Sequence, residues 1–136
     1  MIFKRFSAGH SDQIVDISTT EVVGYLDLAN SYSKSLKTDI SVSLNISTGN
    51  IIGFDIIPVS SPNQLLDSYQ FSSHLSVSTN TGFTKIVYSH PNPTQFFDKT
   101  GTSISTLNKT KIMIQNTNGK SSEIIFSPIS NSQRIE

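Results

Sequence analysis

The sequence predicts an α+β domain in which an N-terminal amphipathic helix packs on antiparallel β-sheet built from hairpins. Three observations predict it. Apolar residues between positions 18 and 37 recur every three or four residues, which is the period of a one-sided helix. From residue 40 onward the period drops to two, which is the period of a half-buried strand. Glycine-bearing turns then separate one alternating run from the next, as hairpins require. Residues 1–136 are expected to form one domain, with the helix over about 14–37 and the sheet region over about 40–136.

The helix is carried by Val22, Tyr25, Leu26, Ala29, Tyr32 and Leu36, with Ile14 and Ile17 able to extend the stripe upstream. Leu26, Ala29 and Leu36 are expected to pack on the sheet, whereas Val23, Ile14 and Phe6 lie partly off the stripe and favour additional buried contacts. Ser18 followed by Glu21 has the spacing of a capping box, in which each side chain bonds the other residue's backbone N–H. Lys34 and Lys37 suit the negative end of the helix dipole.

The first strand, "DISVSLNIS", sets Ile40, Val42, Leu44 and Ile46 on one face and Ser41, Ser43, Asn45 and Ser47 on the other. "TGN" turns the chain into "IIGFDII", and Pro58 and Pro62 open a Ser- and Pro-rich loop. "HLSVSTN" and "FTKIVYS" are predicted to pair as a second hairpin around Gly82. "HPNPT" reads as a loop, and "FFDKTGTSIS" as a short strand followed by a turn at Gly101. Residues 111–115 and 123–127 form the last hairpin around Asn118-Gly119, a dipeptide that accepts the positive φ angles of a tight turn. "RIE" adds an edge strand, giving six to eight strands in an antiparallel meander.

Composition narrows the function classes. Ser, Thr and Asn make up roughly a third of the chain, above the ordinary globular mix. Ten basic residues balance ten acidic ones, and no basic run marks a nucleic-acid partner. Cysteine is absent, which excludes disulfides, thiolate metal sites and thiol nucleophiles. No apolar run of membrane-spanning length and no signal peptide occur, so Met1 is expected to be an added start.

Little catalytic chemistry is visible. His10, His74 and His90 are too far apart in sequence for local metal-ligand spacing and read as surface residues. The carboxylates are scattered, and no sequence-local pair is set up as general acid and base. Asp98 in "FFDKTG" fits a turn-capping role four times better than a calcium-ligand role on the commonness of Asx turns, roughly. "NIS" at Asn45 and "NKT" at Asn108 match a glycosylation acceptor and read as incidental. No catalytic residue, cofactor-binding residue or metal ligand is assigned, and the chain is not expected to be an enzyme.

The order of elements, and the closing "FFDKTGTSISTLNKTKIMIQNTNGKSSEIIFSPISNSQRI", resemble the globular half of type IV pilin-like proteins. Among these the pattern is similar to the minor pseudopilins of type II secretion, H type. Phe97 and Gly101 match the "F-x-x-x-G" piece, and Ile112, Met113 and Ile114 the next strand. Asn118 and Gly119 match the turn, Ile124 to Phe126 the last strand, and Arg134 with Ile135 the tail. Asn131 and Ser132 stand where the family has glycine, and the prepilin cleavage motif is not among these residues.

The resemblance implies a structural filament subunit, the soluble domain that follows a removed membrane-anchor helix. Its implied partners are other pilin or pseudopilin subunits in a hetero-oligomeric filament and, through that helix, the inner membrane. Its implied place is the periplasmic or extracellular face of the cell envelope. A β-rich adhesion or binding module of a cell surface or phage structure has the same surface composition. A leading helix of some five turns is unusual in such a module and separates the two readings.

Overall fold

A computed structural model describes residues 2–89, 93–104, 110–126 and 133–135, with side chains described from residue 12 onward and Ile135 alone in the last segment. The helix α1 runs over Ile2–Ser35 and precedes ten strands. These are β1 (Ile40–Ser47), β2 (Asn50–Pro58), β3 (Asp67–Gln70), β4 (Ser76–Thr79), β5 (Lys85–Tyr88), β6 (Gln95–Phe97), β7 (Ser103–Ile104), β8 (Lys111–Gln115), β9 (Ser121–Phe126) and β10 (Gln133–Ile135). One sheet has the order β3-β2-β1-β5-β6-β7, the other β10-β9-β8-β4. Every pairing among the described residues is antiparallel.

The helix starts twelve residues before the expected position 14 and ends at Ser35, not at residue 37. Ser18 therefore lies mid-helix and buried, so the Ser18–Glu21 capping box does not form. Val15, Thr19, Val22, Leu26, Ala29 and Ser33 follow one another at alternating steps of four and three, and all are buried. Two of the six are polar and satisfied within the helix. The Thr19 hydroxyl donates to the Val15 carbonyl at 2.7 Å, and the Ser33 hydroxyl to the Asn30 carbonyl at 2.6 Å. Leu36 lies past the helix end and is 50% exposed, against the expectation that it packs in the core. The chain leaves the helix through Lys37 at φ 52°, the left-handed conformation that commonly ends helices.

Period-two alternation places Ile40, Val42 and Leu44 inward, opposite Pro58, Ile56 and Phe54 on β2 and beside Tyr88 and Ile86 on β5. Ile46 lies beyond a register shift after Asn45 and is largely exposed. From the second sheet Val77, Ile112, Ile114, Ile124 and Phe126 join the same apolar cluster. Phe83, Phe96 and Phe126 meet edge to face across the two sheets, at 4.9–6.1 Å between centroids. Tyr25 of the helix meets Phe54 and Tyr69 at 6.0 and 5.2 Å. The helix contacts β1 and β5 of the larger sheet and β8, β9 and β10 of the smaller one. One core is therefore shared by three layers' worth of apolar faces.

Two pairings differ from the sequence expectation. The runs at 74–80 and 83–89 do not form a hairpin: β4 pairs with β8 and β5 with β1, so the chain crosses between sheets at Gly82 (φ 73°). Apolar complementarity decides this, since Val77 finds Ile114 and Ile86 finds Val42. Among the described residues ten strands form where six to eight are expected; β3 and β7 are the two beyond the eight strand segments assigned from the sequence.

The β1–β2 turn is a two-residue loop, Thr48-Gly49, with both φ angles positive (50° and 80°). That is the backbone of a type I′ turn, which favours Asn-Gly and strains a β-branched residue. Thr48→Asn is accordingly expected to stabilise the fold by about 0.5–1 kcal/mol, read as a higher midpoint in thermal or urea unfolding.

Candidate functional site

Two features carry what chemistry the fold exposes: the Asx turns of the two sheets and the outer side of α1. The β6–β7 turn begins with Asp98, whose Oδ1 accepts from the Thr100 hydroxyl at 2.6 Å, the Thr100 amide at 2.9 Å and the Thr102 amide at 3.0 Å. Gly101, at φ 84°, closes the loop. The β8–β9 turn repeats this design: Asn116 Oδ1 accepts from the Asn118 and Lys120 amides, and Gly119 sits at φ 90°. "DKTGT" and "NTNGK" are thus two copies of one device, an Asx residue followed three positions later by a left-handed glycine. The last hairpin closes through a three-residue loop in which Gly119 alone is left-handed, not through a two-residue Asn-Gly turn.

The Thr100 hydroxyl, then the Thr102 and Thr100 amides and the neighbouring Lys99 charge, hold Asp98 below the usual carboxylate range. A depressed folded-state pKa means the charged turn contributes above the unfolded aspartate value and is lost as pH falls through the folded one. The amide resonances of Thr100 and Thr102 are expected to titrate with a midpoint below 3.8, the ordinary aspartate value. Asp98→Asn is expected to abolish that titration.

Asn116 does a second job. Its Nδ2 donates to Asp12 of the helix at 2.8 Å, which ties the last hairpin to α1 across 104 residues of sequence. Asn50 plays the same part between sheets: its Oδ1 accepts from the Val77 amide at 2.7 Å and its Nδ2 donates to the Leu75 carbonyl. The side chain thereby covers the outer edge of β4. Neither role is visible in sequence, because each bond spans distant segments.

A recess of about 470 Å³ opens between the β1–β2 turn, the 78–84 segment and the β6–β7 turn, with Ile46, Ile51, Ser78, Phe83, Thr84 and Asp98 in its lining. It holds no imidazole. His74 is exposed on the loop before β4, and the side chains of His10 and His90 lie outside the described residues. Among the described residues no three His, Asp or Glu side chains converge as metal ligands would. Asn45 is exposed on β1, while Asn108, Asn131, Ser132 and the side chains of Phe6 and Arg134 fall outside the described residues.

The outer side of α1 is bounded by β3. The Tyr69 hydroxyl donates to Glu21 Oε1 at 3.0 Å, and Ser18 lies beside it. Burial pushes the Tyr69 phenol up to about 12, with the Glu21 carboxylate adding to the shift and Ser18 opposing it. Burial likewise pushes the core phenol of Tyr88 well up, with Asp27 adding to it. Ile17 is 55% exposed on this side of the helix. No helix among the described residues is long and apolar enough to cross a membrane.

No protein-family model matches the chain, and no curated protein or solved structure matches it.

Proposed function

We propose that the chain is a structural subunit of the minor-pilin or pseudopilin type, acting by docking to neighbouring subunits in a filament of the cell envelope. The observation that carries this reading is the two-sidedness of α1. One side is sunk in a core shared by two antiparallel sheets, from Val15 to Ser33, while the other presents exposed Ile17 and half-buried Leu28. A helix at the front of the chain that is needed for the core and yet open along its length suits a part that joins other parts. The Ser-, Thr- and Asn-rich strand faces suit display at a surface. No catalytic step belongs to this reading. Contact with the inner membrane, in the same reading, belongs to an apolar helix outside residues 1–136.

Cell fractionation of the native source with an antibody to this domain tests the proposal. The expected result is recovery in the envelope and in sheared surface filaments, on a polypeptide larger than 136 residues. Recovery wholly in the cytosol overturns it. The recess bordered by the β1–β2 and β6–β7 turns favours a second reading, a β-rich adhesion module. Surface recovery without any co-purifying filament subunit supports that one instead.

A further inference from the structure

Helix α1 carries a second stripe. Ile17, Thr20, Glu21, Gly24 and Leu28 succeed one another at steps of three, one, three and four, on the side opposite Val15, Val22 and Leu26. Two shallow recesses of about 300 and 290 Å³ lie along it and meet at Glu21. Asp16, Ile17 and Thr20 line the first with Glu21, and Gly24, Tyr25, Leu28 and Asp67 line the second with it. From residue 16 to residue 28 the groove is about 18 Å long, roughly three turns of helix. At its centre Gly24 leaves open space, since a Cβ built there meets no atom within 4 Å.

The rim has a sign. Among the described residues Asp16, Glu21 and Asp67 are its charged residues. Among the described residues Lys120 approaches Asp16 at 3.8 Å, and both side chains remain well exposed. Such a rim repels phosphate chains and attracts cations, whereas the floor between the carboxylates is apolar. The floor follows the i, i+3, i+4, i+7 ridges of a helix, into which the ridge of a second helix packs, and a glycine at the crossing permits close approach.

We propose that this groove seats an amphipathic helix of a partner protein whose apolar stripe is flanked by lysine or arginine. It rests on the docking reading above only in taking that partner to be a neighbouring subunit. The carboxylates set orientation and encounter rate, and Ile17 and Leu28 supply the apolar contact.

The test uses two synthetic peptides of about 20 residues, long enough to be helical when bound. One is a leucine, alanine and lysine amphipathic helix; the other has glutamate in place of each lysine. Each is titrated into the 15N-labelled protein. The lysine peptide is expected to shift amides of residues 16–28 and 67–69, saturably, while the glutamate peptide leaves the spectrum unchanged. The double variant Asp16→Lys, Glu21→Lys, and separately Ile17→Glu, are expected to weaken binding at least about tenfold. Their spectra away from the groove serve as the check on folding. Shifts spread over the sheets, equal binding of both peptides, or undiminished binding by the variants overturn the proposal. So does the same shift pattern appearing with protein concentration alone, which assigns the groove to a second copy. Groove binding together with a cytosolic native protein removes the filament reading and leaves the groove standing; envelope recovery without groove binding does the reverse.

Discussion

Replacing Phe54 by alanine is expected to cost about 3–5 kcal/mol, a large part of the stability of a domain this size. Phe54 is 1% exposed and sits where helix and larger sheet meet. Its ring packs against Tyr25 of the helix at 6.0 Å, Tyr69 of β3 at 5.4 Å and Phe71 at 6.4 Å. Truncation removes the apolar area and leaves a void that three aromatic neighbours cannot close without leaving their own contacts. Phe54→Leu keeps most of the volume and is expected to cost about 1 kcal/mol. Urea unfolding of both variants measures the difference. Equal stability of Phe54→Ala and the parent protein places this ring outside the core and contradicts the packing described.

Gly53→Val is expected to cost about 1–3 kcal/mol, and to do so locally. A Cβ at Gly53 falls inside contact distance of the Tyr69 carbonyl oxygen, and lies 3.2 Å from the Cα of Gln70. Both are backbone of β3, so no rotamer change relieves the clash. Gly53 pairs with Gln70 and its neighbour Phe54 with Tyr69, so moving β3 away opens that ladder and separates Tyr69 from Glu21. Hydrogen exchange is the discriminating measurement. Amides of residues 67–71 should lose protection, while those of β8 and β9 keep theirs. Uniform loss across both sheets contradicts the local mechanism.

The class of the fold was legible because two periods are written plainly in the sequence. Val22, Leu26 and Ala29 keep helical spacing, and Ile40, Val42 and Leu44 keep strand spacing. The hidden parts share a physical cause: they depend on partners far away in sequence. The full buried stripe was obscured because Thr19 and Ser33, polar residues, occupy two of its positions and satisfy their hydroxyls on the helix backbone. β3 was missed because "DSYQ" has only Tyr69 to mark its inner face, and its strand character comes from the glycine opposite. The 74–89 segment misled for the opposite reason. Both halves are good strands around a glycine turn, and local pattern cannot tell which sheet each will join. Asp98 was legible because Asx chemistry is local. Asn50 and Asn116 use the same chemistry on distant strands and helix, and there sequence gives no hint.

The outer groove of α1 was the least legible feature. Ile17 was expected to extend the core stripe, yet it is 55% exposed, on the side of the helix opposite Val15 and Val22. The same helix thus has one face committed to its own sheets and another free for an association that charge can select.

Everything functional here depends on α1 lying against both sheets with that second face outward. Methyl-to-methyl nuclear Overhauser contacts measure this most directly. Val22, Leu26 and Ala29 are expected to show contacts to residues of β1 and of β9, and Ile17 to neither. Contacts from the helix stripe to one sheet alone, or from Ile17 into the shared core, contradict the arrangement.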